Sequence, residues 1–484
     1  MTRDREVSQI GVVAFFTVAI LVATPAVAQR TFVKMRGEVI DSRADEAVSS
    51  DARRRTARSA DSCDVSGIAW HGENVPGGGT LNPQAWGNPS TINTSGRIAF
   101  IAQVDGSERN QGVFSAAGDG LVPIAIGCGR GGGSGDPGSA CGDPSPIGGT
   151  FSGFFTGTFF APPINDLGDI LFIADVYGGQ SPRGLFLYQG DTGEIQKVAA
   201  VGDNSPLGGS FSAIGPGSLN SARQVVFLAF TGASTDGNLF LWDGGAVNKV
   251  VAAGDPAPGG GFFWAIGTER IGFVDGTMMP TGPLGDINDL GQISFRGFVT
   301  GGQALGGLFL SDGGSYQWYV STGDATPIGG VYADFGAAIL NNAGQIAFFA
   351  DVNLGPSFTS GWFTGSPGSW RKAIAFSDQI GDGQVIGIAY SRNPHAPLDD
   401  FGNLALWATV RTPLGDRETL VINQPDTTVL TVVRQGVPTP FGGQIGTIQS
   451  WPSLSRDGQG TLGASTPGAG SILNAHMVYR SCAP

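Results

Sequence analysis

The sequence contains few of the residues on which many catalytic and nucleic-acid-binding sites depend. It has 3 histidines and 4 cysteines, and its lysines are Lys34, Lys197, Lys249 and Lys372. It has no G-x-S-x-G, P-loop, C-x-x-C or H-E-x-x-H motif. The chain therefore lacks the common signatures of serine hydrolases, P-loop enzymes, thiol oxidoreductases and zinc peptidases. A G-x-G-x-x-G string begins at Gly127, but no helical pattern follows it, as a dinucleotide site requires.

Positive charge is scarce as well. The net charge is −13 and the pI is about 4.6, which excludes a nucleic-acid partner, because phosphate backbones require clustered basic residues. His71, His395 and His476 are isolated in the sequence and are interpreted as structural residues. The residues indicate neither a catalytic site nor a bound cofactor.

Glycine, proline and aromatic residues are abundant instead. The chain has 80 Gly, 29 Pro, 30 Phe and 9 Trp, and 41% of its residues are hydrophobic. This apolar content is enough to bury a core, and many short strands joined by Gly/Pro turns fit it best. The composition predicts an all-β protein.

The N-terminus differs from the rest of the chain. Residues 1–28 combine a basic flank, an apolar run and an A-x-A site, which is typical of a cleaved signal peptide; no later run predicts a membrane span. We therefore expect a secreted protein, extracellular or periplasmic. Residues 29–62 are rich in charge and predict a disordered linker, with a basic tether to a surface as the alternative.

Three markers recur from Cys63 onward. The first is an Asx-x-x-Gly turn before an apolar strand, and the second is a Gly-Asp-x-x-Pro-x-Gly-Gly loop, each with seven copies when degenerate forms are counted. The third is a GLFL-type strand. The first residues of the turns are Asn93, Asn165, Asn220, Asn288, Asn341, Asp399 and Ser455. Asn and Gly are the residues that tight hairpin turns require.

The turns are 72, 55, 68, 53, 58 and 56 residues apart. A period near 60 suits a four-stranded propeller blade with loops. The sequence therefore predicts a seven-bladed β-propeller over residues 63–484, with a strand near 64–71 completing the last blade.

The turn-and-strand phrase resembles the TolB-type and WD40-like propeller repeats. The fuller phrase, with Gly254–Gly261 and Leu340–Ala350 as examples, resembles an uncharacterised family of bacterial secreted repeat proteins. That resemblance covers about residues 63–484 and implies no activity.

The Gly-Asp loops are the recurrent charged feature. Their carboxylates are Asp143, Asp203, Asp255, Asp324 and Asp378, with Glu73 as a variant. Carboxylates around one mouth of a channel could bind Ca²⁺ or dock a partner. Alternatively, each Asp accepts hydrogen bonds from its own loop.

Tryptophans and cysteines provide two further expectations. Trp86, Trp264, Trp318, Trp362, Trp370, Trp407 and Trp451 could stack on sugar rings where they are exposed, whereas core packing is the alternative. Cys128 and Cys141 flank an inserted loop, and Cys63 and Cys482 stand at the two ends of the ring. An exported protein would form both disulfides.

Together these features predict a monomeric binding or scaffold module for a protein or glycan ligand. A propeller-based glycan hydrolase or lyase that uses carboxylates is the alternative, and a quinone-dependent dehydrogenase is a weaker one. The fold does not choose between these functions.

Overall fold

The structure is a computed structural model. It describes residues 56–58, 63–82, 89–128, 141–154, 161–232, 234, 237–267, 271–274, 277–280, 285–388, 397–448, 452–472 and 474–480. These residues belong to one compact unit, Ser49–Pro484. They contain strands and turns but no α-helix, and hence no helix that could cross a membrane.

The strands form seven antiparallel blades around a ring, as the repeats predicted. The N-terminal strands are β1 (Thr56–Arg58) and β2 (Asp64–Trp70). The first blade contains β3 (Thr80–Asn82), β4 (Thr91–Ile92), β5 (Ile98–Asp105), β6 (Gln111–Ala117) and β7 (Gly120–Gly127). The second contains β8 (Thr150–Phe154), β9 (Ile170–Tyr177), β10 (Arg183–Tyr188) and β11 (Ile195–Ala200). The third contains β12 (Phe211–Leu219), β13 (Val225–Thr231), β14 (Asn238–Trp242) and β15 (Val247–Val251).

The next blades follow the same order. The fourth contains β16 (Phe262–Ile266), a hairpin of β17 (Ile271–Val274) and β18 (Thr277–Pro280), then β19 (Asp286–Ile287), β20 (Ile293–Thr300), β21 (Gly306–Ser311) and β22 (Tyr316–Ser321). The fifth contains β23 (Val331–Leu340), β24 (Ile346–Asn353), β25 (Phe358–Gly365) and β26 (Arg371–Ala375). The sixth contains β27 (Gln379–Ile380), β28 (Gly383–Ile388), β29 (Leu404–Thr412), β30 (Gly415–Asn423) and β31 (Val429–Arg434). The seventh contains β32 (Ser453–Leu454), β33 (Gly460–Ser465) and β34 (Asn474–Arg480).

The two chain ends close the ring in the seventh blade. Strand β2 pairs antiparallel with β34, with Asp64 opposite Arg480 and Trp70 opposite Ala475. The predicted closing strand is thereby confirmed. Strand β1 then pairs along the outer edge of β2, so β2 is not the outermost strand. The three residues of β1 lie within the predicted linker 29–62, and they have no apolar pattern that would indicate a strand.

The core lies between the blades. Seven large hydrophobic clusters are each shared by two neighbouring blades, including the pair formed by the seventh and the first. In blades two to five, aromatic rings from the first three strands pack together with centroids 4.9 to 6.0 Å apart, as for Phe211, Phe227 and Phe240. Because both faces of each sheet are covered, the central strands are apolar almost throughout.

The antiparallel order assigns the connections to two faces of the ring. The Asx-turn face contains the seven turns that begin at Asn93, Asn165, Asn220, Asn288, Asn341, Asp399 and Ser455. The Gly-Asp face contains the loops between blades together with the turn after the second strand of each blade. A hydrogen bond of 2.9 Å from Gly232 N to Ser210 O joins two such connections in the third blade.

Candidate functional site

The Asx turns form a ladder of hydrogen bonds around the inner ring. In each of five turns, Asn Nδ2 donates to the backbone carbonyl of the first turn residue in the next blade, over 2.9 to 3.1 Å. The donors are Asn93, Asn165, Asn220, Asn288 and Asn341. Oδ1 of these residues accepts backbone N–H groups of its own turn, as in Asn288, where Leu290 N and Gln292 N donate. This recurrent turn residue therefore links blades as well as capping its own turn.

A second ring lies one residue further along each turn. Asp289 accepts a hydrogen bond of 2.7 Å from Ser221 N, and Asn342 Nδ2 donates to both Asp289 and Asp400 over 3.0 Å. Arg456 of the seventh blade reaches Asp289 of the fourth at 3.3 Å and Asp400 of the sixth at 3.6 Å. This guanidinium group bridges three blades at the mouth of the ring. Burial by itself would raise the pKa of Asp289, but the hydrogen bonds from Ser221 and Asn342 and the charge of Arg456 together lower it.

Beneath these rings lies a central cavity of about 70 Å³, which residues of all seven blades line. The residue before each Asx position contributes an aliphatic side chain: Ile92, Ile164, Leu219, Ile287, Leu340, Leu398 and Leu454. Hydroxyl and carboxyl groups stand beside this aliphatic belt, on Thr91, Asp166, Ser218, Asp286 and Ser453. The guanidinium-bearing Arg456 lines the cavity as well, so the lining combines an aliphatic belt with hydroxyl, carboxyl and basic residues.

Asp286 is the most deeply buried carboxyl group of the cavity lining. Ser218 Oγ donates to its Oδ1 over 2.5 Å, Ile287 N to the same oxygen over 2.9 Å, and Leu340 N to Oδ2 over 2.8 Å. Burial raises the pKa of Asp286 to about 6, although these three hydrogen bonds favour the charged form. Sequence analysis missed this residue, because a single Asp before an Asn turn looks like turn chemistry.

The Asp residues of the Gly-Asp loops lie on separate loops of the opposite face. Asp203, Asp255, Asp324 and Asp378 each accept a hydrogen bond of 2.7 to 2.9 Å from the backbone N–H three residues earlier. Asp143 accepts the equivalent bond from Ile126 N across the insertion. The loops therefore use these carboxylates as caps, and Glu73 makes a longer version of 3.4 Å to Trp70 N.

Basic side chains neutralise four of these carboxylates. Lys197, Lys249 and Lys372 pair with the Asp six residues further on, and Arg109 pairs with Asp143. Among the described residues, no three His, Cys, Asp or Glu side chains are grouped so that they could hold a metal ion. The carboxylate rim is thus part of the loop architecture, and Ca²⁺ binding at it stays a prediction.

The tryptophans differ in exposure. Trp362 is 1% exposed and packs in the core between blades five and six, and Trp318 donates from Nε1 to Pro258 O over 2.6 Å. Trp264, in contrast, is 46% exposed on the Gly-Asp face of the fourth blade. Trp370 and Trp407 are half-buried, and Trp86 and Trp451 lie outside the described residues.

Trp264 is part of an aromatic and charged cluster, called here the Trp264 site. Its ring lies 5.2 Å from that of Phe298, and the guanidinium of Arg296 lies 4.4 Å from the centroid of the Phe298 ring. Arg296 also pairs with Asp334 of the fifth blade; its side chain is 7% exposed and that of Asp334 is 55% exposed. Phe262, two residues before Trp264, is 55% exposed. The site thus presents an apolar ring face beside a fixed ion pair.

A β-bulge places Trp264 at the surface. The pairing of β16 with β20 shifts between Phe263 and Ala265, so Trp264 is the extra residue. The same shift occurs in other blades, where the extra residue is Ser152, Ser212, Ala333 or Ile386. The sequence provides the tryptophan but not the bulge, so its exposure could not be read from the pattern.

The remaining candidate residues have structural contacts or lie outside the described residues. His71 Nδ1 contacts Ser471 O at 3.1 Å, and His476 is 3% exposed with its ring 4.6 Å from that of Phe100. Burial lowers the pKa of His476 to about 4. His395 lies outside the described residues.

Cys128 and Cys141 form the predicted disulfide. Cys63 is disulfide-bonded as well. Its predicted partner Cys482 lies outside the described residues, so this pairing stays a prediction.

Several solved structures are similar to the chain. The crystal structure of the polysaccharide lyase Uly1 matches with 11% identity and a TM-score of 0.40, covering 90% of this chain and 96% of that one. A structure from a study of two prolyl endopeptidases matches with 9% identity and a TM-score of 0.40, covering 83% of this chain and 51% of that one. TolB from Acinetobacter baumannii matches with 14% identity and a TM-score of 0.32, covering 62% and 60%. The chain spans about half the length of the endopeptidase, and none of these likenesses assigns an activity to it.

The family comparison confirms the resemblance to a repeat family without a known activity. No curated protein matches the sequence. A family model described as a family of unknown function, DUF7453, matches residues 37–361, which is more than half of the 484 residues. The chain therefore belongs to the DUF7453 family.

Proposed function

We propose that the protein is an exported β-propeller that binds a glycan through the Trp264 site. The observation that supports this most is the exposed indole of Trp264, held against Phe298 at the first-strand bulge, where other described blades have Ser, Ala or Ile. Exposing so large an apolar ring costs free energy that a buried position would avoid. A ligand that covers the ring would recover that free energy.

The neighbours of Trp264 suit a sugar better than a purely apolar ligand. Arg296 is fixed between the Phe298 ring and Asp334, so its N–H groups and the Asp334 carboxylate have set positions. Sugars have C–H faces that stack on indole rings and hydroxyl groups that both donate and accept hydrogen bonds. A rigid ring beside a donor and an acceptor matches both properties.

Export rests on two observations. Residues 1–28 have the pattern of a cleaved signal peptide, and the Cys128–Cys141 disulfide suits an oxidising compartment. A periplasmic or extracellular protein would meet cell-envelope or environmental polysaccharides. Glycan binding by a single propeller requires no second subunit, in line with the expected monomer.

A glycan hydrolase or lyase is the second candidate. Asp286, with a pKa raised to about 6, could serve as an acid or base. It lies in the central cavity, however, and the Trp264 site is made of other residues. Binding without turnover is therefore the simpler proposal.

Binding to an array of bacterial and plant polysaccharides would test the proposal. We expect Trp264→Ala to weaken the binding of any captured glycan by about tenfold or more, because the loss of one stacked aromatic ring is worth about 1 to 3 kcal/mol. Phe401→Ala is the matched control, since Phe401 is 68% exposed on the Asx-turn face.

Equal affinities of the parent and Trp264→Ala, or no glycan bound by the parent, would contradict the proposal. Reducing ends or unsaturated sugars released from the bound glycan would support the enzyme instead. Both products should be absent when Asp286→Asn is assayed in parallel, if Asp286 is the catalytic group.

A further inference from the structure

The exposed charges beside the Trp264 site are negative. The guanidinium group of Arg296 is already engaged by the Phe298 ring and by the Asp334 carboxylate, and the Arg296 side chain is 7% exposed. The Asp334 side chain is 55% exposed, and Asp351 on the neighbouring strand is exposed as well. A ligand that stacks on Trp264 therefore meets open carboxylates and a guanidinium group that is covered and paired.

Asp334 and Asp351 lie opposite each other in the fifth blade. They are register partners between β23 and β24, where the pairing shifts after Tyr332. Residues opposite each other in a sheet have Cβ atoms about 4.5 to 5.5 Å apart, and like charges at such positions are destabilising. Arg296 offsets the charge of Asp334, whereas Oδ1 of Asp351 accepts a hydrogen bond of 2.5 Å from the uncharged hydroxyl of Ser360. The pair therefore carries an excess of negative charge.

The other basic side chains described in blades four and five bind elsewhere. Arg371 donates to the carbonyl oxygen of Gly402 over 2.9 Å, on the Asx-turn face. Lys372 pairs with Asp378 of the loop that follows its own strand. Among the described residues of these two blades, Arg296 alone therefore balances the carboxylates beside Trp264.

A protonated amine is the sugar substituent that suits these carboxylates. The carboxylate of a uronic acid would be repelled by Asp334 and Asp351, and a hydroxyl group would leave their excess charge in place. An ammonium group offsets that charge and donates up to three hydrogen bonds, which are stronger for charged partners than for neutral ones. The contacts from the Trp264 ring to Phe298, from Phe298 to Arg296 and from Arg296 to Asp334 place the carboxylates beside the stacking surface.

We propose that the Trp264 site selects polysaccharides of amino sugars whose amines are free and protonated, an inference that rests on the proposed glycan-binding function. One sugar ring stacks on Trp264, and the ammonium group of the adjacent sugar contacts Asp334 and Asp351. Trp264 provides the contact that any sugar ring can make. Asp351 provides the charge that distinguishes an amino sugar from a neutral one.

Calorimetric titration with three hexasaccharides tests this inference: cellohexaose, hexaglucosamine and hexa-N-acetylglucosamine, which share one backbone linkage. At mildly acidic pH, where the amines are protonated, we expect hexaglucosamine to bind about fivefold more tightly than cellohexaose, which is the upper range for an exposed ion pair. Acetylation removes the charge, so hexa-N-acetylglucosamine should lack this gain. The preference should shrink between about 50 and about 500 mM sodium chloride, because salt screens exposed charges.

Three variants assign the preference to the site. Asp351→Asn should remove the difference between hexaglucosamine and cellohexaose, because it removes the excess charge and keeps the shape of the side chain. Trp264→Ala should weaken the binding of both sugars. Asp312→Asn is the matched control, since it removes an exposed carboxylate of the fourth blade from the Asx-turn face, and it should keep the preference.

Equal affinities of the parent for hexaglucosamine and cellohexaose would overturn this inference and leave glycan binding at Trp264 intact. So would tighter binding of polygalacturonate than of hexaglucosamine, or capture of another glycan by the array when none of the three hexasaccharides binds. If hexaglucosamine keeps its affinity for Trp264→Ala, the ammonium groups bind elsewhere on the acidic surface and the inference is wrong. The proposed function fails with it only if the parent binds no glycan at all.

Discussion

The hydrogen-bond ladder of the Asx turns can be broken at one rung by a nearly isosteric change, Asn288→Asp. Asn288 is fully buried, and its Nδ2 donates to Asn341 O over 3.1 Å and to Gln292 Oε1 over 2.8 Å. An ionised Asp keeps Oδ1 as the acceptor for Leu290 N and Gln292 N but cannot donate. The substitution therefore removes the Asn288 rung between the fourth and fifth blades and leaves the turn itself intact, while the hydrogen bonds between Asp289 and Asn342 remain.

The expected cost follows from the bonds that are lost. Two donated hydrogen bonds contribute about 1 kcal/mol each, and the new carboxylate repels the carbonyl oxygen of Asn341. We expect the free energy of unfolding to fall by about 2 to 4 kcal/mol at neutral pH. Urea denaturation followed by tryptophan fluorescence would measure this loss.

The loss should shrink in acid. Asp399, the natural carboxyl at the equivalent position of the sixth blade, is fully buried, and its burial raises its pKa. A carboxyl at position 288 should behave alike, so the folded state would bind a proton before the unfolded chain does. Its protonated form can donate to Asn341 O again, and stability lost at neutral pH returns as pH falls through the raised pKa.

A control with the same chemistry is Asn353→Asp. The hydrogen bond of that side chain is accepted by Oδ1 from Gly355 N, so the change removes no donated bond of the ladder. If Asn288→Asp unfolds at the same urea concentration as the parent, or if its deficit is the same at neutral and acid pH, the ladder does not join the blades as argued.

Two further predictions concern pH and the chain ends. Burial raises the folded-state pKa of Asp286 from 3.8 to about 6, so this group adds about 3 kcal/mol to the free energy of unfolding as pH falls from about 6 to about 4. Burial lowers the pKa of His476 from 6.5 to about 4, so this group removes about as much free energy of unfolding over the same pH range. Urea midpoints should therefore rise on acidification in His476→Phe and fall in Asp286→Asn, and parallel pH profiles of the two variants would contradict this. Cys482→Ser should lower Tm and make Cys63 reactive to thiol labelling in the folded protein, because a disulfide across so long a loop contributes at most about 4 to 6 kcal/mol. A variant that melts like the parent, together with a parent Cys63 that already reacts, would show that the two ends are not bridged.

Much of the architecture could be read from local sequence. The Asx-x-x-Gly turns and the Gly-Asp loops alternate, and each requires particular residues at fixed spacing, since only Gly adopts the positive φ of these turns without strain. Arg223 is an informative exception: it has a φ of 60° where the other turns have Gly, and it pairs with Asp169 and Asp191. Seven copies of such local signals were enough to predict seven blades.

Closure of the ring was readable for the same reason. In the other repeats, the fourth strand directly precedes a Gly-Asp loop, and the strand before the Gly-Glu loop at Gly72 is placed in the same way. The last repeat has no fourth strand of its own. Pairing of β2 with β34 therefore followed from counting strands. Strand β1 could not be counted, because it repeats nothing elsewhere in the chain.

The geometry of the candidate sites depends on contacts between distant segments of the chain, which no local sequence pattern shows. The sequence by itself determined that Asp286 precedes a turn, that Trp264 belongs to a first strand and that Arg456 follows Ser455. Only the tertiary structure decided that Asp286 is buried in a central cavity, that a bulge exposes Trp264, and that Arg456 bridges blades four and six. Turns are set by the conformational preferences of a few adjacent residues, whereas burial, bulges and ion pairs across the ring arise where seven separate segments of the chain meet.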